Sequence, residues 1–551
     1  MKTLQELSKA DELVELCGYV PIALCIAGSL LSKGVYTEEE LIKCLKQGPL
    51  DVLQSNRRPT VDTSVEKSIM TSFEALEDCE MQALILLCSF PGSFDTEAAK
   101  VLIAPCLPTT ARGQQVLILT ELIDRCLVEQ PSTQRYEIHS LIHTAAKKIG
   151  RERYPQLLDQ GKKLACDHFI SRFADNAKKH WSKDKCKESV EAFNEDRHNF
   201  EFFLQVYVER RENQDAETVD ACKTFSDDFP QNCMYLEKCV LPRFYTKILQ
   251  RLLQTVNSAS QPVYRVELLC LLGNETRKEG NEQKFKALME EADQIHSKNQ
   301  AEFETKALSE VYFLNRHARF LSEINYSNEN ESRIQEETKT ALNVSKKQLG
   351  DHPETAKNSF TCRNKRTAPW KILRSQQKLN EALELYEKCL GTHIRTAKAH
   401  KHIADFYLSF RGTADRALDT CREHYGDAIK LFEDSGVGGR KESILTLKNL
   451  AICHAKKNNF HDAIKQLKKA EEVAERELEE DHKWKVLIKT KLALLHDKMG
   501  HPDQAKVVML EGLLMSKRIN LPMKGKRKIQ KFINRYPGTF PEEDFPRFVS
   551  V

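Results

Sequence analysis

The sequence predicts a mostly all-α chain: a small helical subdomain, a helical unit closed by a hairpin, and then a long α-solenoid. Three observations predict it. Only 21 Gly and 18 Pro interrupt 551 residues, too few turn residues for a sandwich or barrel. Apolar residues recur at helical spacing along most of the chain. Strings in the C-terminal half also repeat about every forty residues, which is the mark of stacked supersecondary units.

The length implies several domains, at roughly 100–200 residues each. With 40% hydrophobic and 30% charged residues and a mean hydropathy of −0.52, the composition is that of a water-soluble protein. The 84 basic and 80 acidic residues leave a net charge of only +4, so no single-sign field draws the chain to nucleic acid or an anionic membrane. The longest apolar run, Tyr19–Leu31, is shorter than the roughly 20 residues a bilayer span needs. The start of the chain has no signal-peptide pattern. Seventeen Cys without a C-x-x-C pair read as reduced thiols. A cytoplasmic location is therefore expected, and the sequons at Asn274, Asn325, Asn330 and Asn343 are incidental.

Residues 1–60 form the first predicted domain. Leu13, Leu16 and Val20 carry helical spacing, and Gly18 and Pro21 separate one helix from the next, Ile22–Leu31. Thr37 caps a third helix with Leu41, Ile42 and Leu45 inward. The string C-G-Y-V-P-I-A-L, Cys17–Leu24, followed by A-G-S-L-L, resembles the C-G-x-P-L-A-L signature of the NB-ARC (STAND) nucleotide switches. That resemblance implies a helical subdomain beside a nucleotide, with Pro21 near its base and ribose.

Residues 64–150 form the second. Helices are predicted over Ile69–Leu76, Met81–Leu87, Glu97–Ile103 with Thr96 as cap, and Gln114–Cys126; strands are predicted at Leu127–Gln130 and Arg135–His139. Helices plus a hairpin make a winged helix, a fold that often reads DNA. Its candidate reading helix offers only Arg112 and Arg125, which argues against that role. I-H-S-L-I-H, Ile138–His143, resembles the family's M-H-D motif, with Ser140 in place of Asp. The resemblance implies that His139 faces the β-phosphate of ADP, and Ser140 is expected to cap the helix. His139 and His143 have the i, i+4 spacing of a zinc pair but no third ligand nearby, so no metal is expected.

No G-x-x-x-x-G-K-[ST] occurs. The G-K pairs Gly161-Lys162 and Gly525-Lys526 lack the upstream glycine, and no Walker B strand follows. The nucleotide-binding subdomain of the family is therefore expected to be missing ahead of Met1. No nucleophile–base or metalloprotease motif appears either. The expectation is a non-enzyme with no cofactor, ADP becoming relevant only with an upstream phosphate loop.

Residues 151–262 read as helical linker, with Phe169, Phe173, Trp181, Phe200, Phe202 and Phe203 on apolar faces and a polar loop at Glu209–Pro230. In the next domain, 263–520, Leu450-Ala451 recurs as Leu492-Ala493 and Ala463 as Ala505, each 42 residues on. L-G-D-H-P-E-T-A-K, Leu349–Lys357, recurs as L-G-T-H-I-R-T-A-K, Leu390–Lys398, 41 residues on. Small residues where two helices cross and large ones between neighbours are tetratricopeptide logic, in units longer than the usual 34 or so residues. The longer unit resembles kinesin light chain and the arrays linked to NB-ARC proteins. About six repeats are expected, with irregularities at Cys362–Lys371, where Pro369 breaks a first helix, and at Arg411–Cys421, which looks inserted. The tail, 521–551, is basic and expected to open with a capping helix.

The predicted function is a non-catalytic signalling scaffold whose repeats bind a protein or peptide. First-helix polar positions point to Asn449, His454, Lys491 and His496. The rivals are a fragment of an ADP/ATP switch in innate-immune or apoptosis-like signalling, and a winged-helix DNA binder. Oligomerisation is left open.

Overall fold

The computed structural model of the chain describes residues 9–17, 19–47, 61–108, 113–213, 229–324, 328–361, 369–409, 415–436, 440–478, 482–517 and 523–536. It divides into two compact units, Met1–Asp175 with Phe193–Asp228, and Asn176–Ala192 with Phe229–Val551.

The first unit opens with α1 (Ala10–Leu16), α2 (Pro21–Ser32) and α3 (Glu38–Gln47). Pro21 takes the first turn of α2, where its missing N–H costs nothing; Gly18 lies outside the described residues. Thr37 and Glu40 cap α3 reciprocally, the Glu40 N–H donating to Thr37 Oγ1 and the Thr37 N–H to Glu40 Oε2. Then come α4 (Val61–Glu74), α5 (Asp78–Leu87), β1 (Phe94–Asp95), α6 (Thr96–Ile103), α7 (Gln115–Asp124), β2 (Glu129–Ser132), β3 (Arg135–Glu137) and α8 (Ser140–Arg153). The three strands make an antiparallel sheet in the order β1-β3-β2, with Phe94 opposite Tyr136. The hairpin matches the sequence reading; β1 does not appear in it, because two residues carry no alternation to detect. The cap of α6 also differs: Asp95, not Thr96, accepts the Ala98 N–H, at 2.8 Å.

α9 (Pro155–His180), α10 (Cys186–Glu195) and α11 (Arg197–Glu212) follow. Glu209–Glu212 thus continues a helix rather than a loop, and residues 214–228 are not described. Phe90, Phe94, Phe169, Phe173, Phe193, Phe200 and Phe203 form an aromatic core, Phe169 stacking on Phe203 at 5.3 Å and Phe193 on Phe200 at 5.0 Å. Asp196 is buried between Arg135, at 2.8 Å, and Arg172, at 3.0 Å, and ties the sheet to α9.

The second unit contains α12 (Phe229–Cys239) and α13 (Pro242–Thr255), then helix pairs: α14 (Pro262–Lys278) with α15 (Glu282–Lys298), α17 (Ala307–Ile324) with α18 (Asn328–Val344), α19 (Pro353–Thr361) with α20 (Pro369–Leu390), α21 (Ile394–Leu408) with α22 (Asp415–Asp434), α23 (Arg440–Lys456) with α24 (Phe460–Glu477), and α25 (Lys483–Lys498) with α26 (Pro502–Lys517). A short α16 (Gln300–Thr305) precedes α17, and α27 (Met523–Arg535) covers α25. Ala463, Leu467, Ala470 and Ala474 of α24 are fully buried against Leu447, Ala451 and Leu492, the small-on-large packing that the repeated strings demand. Turns within repeats need a left-handed residue: Asn458 and Gly500, 42 residues apart, have φ of 62° and 79°.

The two irregular segments are described in part. Pro369 begins α20 instead of interrupting a helix, and residues 362–368 are not described. Of the segment read as inserted, residues 415–421 are helical and extend α22 N-terminally, with Leu418 and Cys421 buried.

Candidate functional site

In the first unit, Pro21 is exposed at the start of α2. His139 is half-buried and is itself the N-cap of α8: the Leu141 N–H donates to its Nδ1 at 3.3 Å. Ser140, read as the cap, is the first helical residue. His143 turns the other way, its Nε2 lying 3.3 Å from the Phe90 carbonyl, so the two histidines do not converge as ligands. Arg125 points inward, donating to the Ala75 carbonyl at 3.1 Å and facing buried Glu80 at 3.7 Å; Arg112 is not described. Of the two cations weighed for DNA contact, the described one is thus committed to the protein interior.

In the repeats, Asn449 donates to Asp405 Oδ1 at 2.9 Å. Asp405 also accepts from the Tyr425 hydroxyl and pairs with Lys401 at 3.0 Å, so Asn449 fastens α23 to α21. His454 is buried, and burial, with Arg422 adding to it, keeps its imidazole below the ordinary value. Lys491 and His496 are half-buried on α25. None of these four meets a cavity that sits elsewhere in the same unit.

That cavity, of about 290 Å³, is built by the repeated corner string. Leu349–Lys357 and Leu390–Lys398 each turn through a left-handed glycine, Gly350 or Gly391. Each then caps the next helix with histidine: Glu354 N–H donates to His352 Nδ1 at 3.1 Å, and Arg395 N–H to His393 Nδ1 at 3.0 Å. With the string in register, Lys357 on α19 and Lys398 on α21 are equivalent residues and both line the cavity. The equivalent positions Glu354 and Arg395 pair with each other at 2.7 Å. Glu354 is buried and also holds Lys357 at 2.8 Å.

Burial alone would raise the Glu354 carboxyl, but Lys357 and Arg395 outweigh it and hold it well below the usual carboxylate range. The Arg395 guanidinium carbon lies over Trp181, 4.4 Å from the ring centroid. Met234, Glu237, Lys238, Tyr386 and His402 complete the walls. Four cations, Lys238, Lys357, Arg395 and Lys398, face a space with aromatic sides and one lining carboxylate, Glu237, which lies 3.7 Å from Lys238, while Lys398 is paired with Glu442 at 2.8 Å. Chemically this suits an acidic segment with an apolar side chain. The sequence reading took Trp181 for core and the T-A-K string for a corner only; the lysine five residues after each capping histidine was the available signal.

A tetratricopeptide-repeat family model matches residues 442–511, and the chain carries such repeats. A candidate disease resistance protein of Arabidopsis thaliana is 27% identical over 146 residues, 26% of this chain and 12% of that protein, so the match spans a small part of its length. Among solved structures, a Signal Transduction ATPase with Numerous Domains (STAND) protein with a tetratricopeptide repeat sensor from Pyrococcus horikoshii is 13% identical, covering 93% of this chain and 75% of its own, with a TM-score of 0.45. The quorum sensor NprR of B. thuringiensis is 12% identical, covering 59% and 84%, with a TM-score of 0.39. No described helix is long and apolar enough to cross a membrane.

Proposed function

We propose that the chain is a non-catalytic scaffold whose repeats hold a partner protein, with the cavity around Arg395 anchoring an acidic segment of that partner. The observation that carries this reading is the four-cation lining over Trp181 and Tyr386. Arg395 is pre-positioned by Glu354 and Trp181, so little side-chain entropy is lost on binding. Selection of a random peptide display library on the purified chain tests it. Enriched peptides should carry an excess of Asp and Glu, bind less tightly as salt rises, and lose about tenfold in affinity, roughly 1.4 kcal/mol, on the double change Lys238→Ala and Lys398→Ala. Enrichment of basic peptides, or affinity indifferent to both lysines, would sink the reading.

The first unit, in the same proposal, is the regulatory remnant of a nucleotide switch, supported by the strings around Pro21 and His139. It lacks a phosphate cradle in this sequence, and His139 spends its Nδ1 on its own helix. ADP with magnesium should therefore leave the thermal unfolding midpoint unchanged. A concentration-dependent rise would instead favour the switch reading.

A further inference from the structure

Beside the peptide cavity, three metal-ligating side chains converge in the interior of the second unit. We propose that His180, Cys186 and His393 form a buried site for a thiophilic transition-metal ion, zinc(II) or copper(I). Their ligand atoms lie within 4.8 Å of one another, and all three residues are buried. His180 Nδ1 is 3.5 Å from Cys186 Sγ. Metal–nitrogen and metal–sulfur bonds of about 2.0 and 2.3 Å at a tetrahedral angle put the two donor atoms about 3.5 Å apart. The pair already has the spacing of two ligands on one ion.

His393 supplies the independent observation. Its Nδ1 is committed to the Arg395 N–H, which leaves Nε2 as the nitrogen for a ligand. That atom is buried with no hydrogen-bond partner, in a residue with 0% exposure. A buried polar atom without a partner costs about 1–3 kcal/mol, so it calls for an explanation. His352, at the same position of the preceding repeat, has its Nε2 3.4 Å from the Gln231 amide. At His393 the neighbouring metal-ligating groups are a thiol and a second imidazole.

Those groups are fixed before any ion arrives. The Asp184 N–H donates to the Leu390 carbonyl at 3.0 Å, and the Thr392 N–H to Asp184 Oδ1 at 2.7 Å. The turn carrying His180 and Cys186 is thereby held against the corner carrying His393. Beside the ligands, Ser189 Oγ donates to the Cys186 carbonyl at 2.7 Å and lies 3.1 Å from His180 Nδ1, a contact that an ion takes over as the imidazole proton moves to Nε2; the Tyr235 hydroxyl donates to the Ser189 carbonyl at 2.6 Å. His180 also lines the 290 Å³ cavity, which gives an ion a route inward.

Thiolate with two neutral imidazoles is a soft donor set that selects copper(I) or zinc(II) over harder ions. Loading replaces the thiol proton: the S–H bond breaks, a metal–sulfur bond forms, and one proton leaves to solvent without change of oxidation state. Copper(I) bound to thiolate is uncharged, whereas zinc(II) keeps one positive charge near Arg395; water reaching the site through the cavity can complete a zinc shell.

The test uses the full chain, reduced, stripped with chelator, and titrated with cobalt(II) as optical probe, then with zinc(II) and copper(I) against competing chromophoric chelators. One equivalent of cobalt should bind with thiolate-to-cobalt charge-transfer absorption and raise the unfolding temperature. Cys186→Ser should abolish that absorption. His393→Asn keeps a cap acceptor for α21 while removing the ligand, and should weaken binding by about 100-fold or more, beyond the usual loss on removing an outer-shell partner. His424→Ala, at the more exposed cluster of His400, His424 and Asp427, should change nothing. Tighter competition by zinc or by copper(I) identifies the ion and supports the site. Absence of the charge-transfer band in the wild type, a band that survives Cys186→Ser, or an affinity unchanged by His393→Asn overturns it.

Discussion

Replacing Glu354 with Ala is expected to destabilise the repeat unit by about 3–5 kcal/mol, the cost of stripping one partner from a buried ion pair. Glu354 has 1% exposure and is shared by Lys357 and Arg395. Its loss leaves Arg395 with Trp181 beneath it and no carboxylate to neutralise it. All three tryptophans lie in the second unit, so urea unfolding followed by their fluorescence reads the effect there. The same residue gives a pH dependence. Its folded carboxyl sits below the ordinary 4.5, so the unfolded chain takes up protons first on acidification. The stability it contributes is complete above about pH 4.5 and is lost as pH falls below that value. Glu354→Gln should remove this acid dependence together with the stability. An unchanged urea midpoint in Glu354→Ala would show that the pair is not buried as described.

The second large effect is expected at Gly161. A Cβ there would lie 2.4 Å from Ser89 Oγ and 3.2 Å from the Leu86 carbonyl oxygen. Ser89 Oγ can rotate away, but the backbone carbonyl of Leu86 cannot. Gly161→Leu should cost about 3 kcal/mol or more, at the upper end of overpacking penalties. Gly28→Ala is the control, since nothing lies within 4 Å of its added Cβ; a helical Gly→Ala change should gain about 0.5–1 kcal/mol. Far-UV circular dichroism during thermal unfolding compares the two. The Gly161-Lys162 pair, which lacks the upstream glycine of a phosphate loop, is in the structure a place where two helices touch.

Much of the architecture was legible because it is local. Pro21 at a first turn and the Thr37 cap depend on residues within a few positions of one another, and the 42-residue recurrence of Leu-Ala is a local string read twice; each appears as a cap, a helix or a helix pair. Elements too short to carry a period were not legible: β1 has two residues, and the N-terminal extension of α22 has no apolar stripe distinct from an insertion. The candidate groove residues are hard to read in sequence for another reason. Polar residues on a first helix look alike in sequence whether they face solvent, as a ligand site requires, or a neighbouring helix, as Asn449 does toward Asp405.

The sequence by itself determined that this chain is helical, that its second half repeats with a phase of 41–42 residues, and that histidine and glycine mark the corners; capping, turn geometry and hydrophobic period are short-range forces written in adjacent residues. Tertiary structure alone decided that Glu354 pairs with its own repeat equivalent, Arg395, that Trp181 forms a cavity wall, and that His180 and Cys186 meet His393. Asp184 and Thr392, which bond beside that cluster, are 208 residues apart. Contacts over such a separation arise from packing of whole elements, and no local period in the chain encodes them.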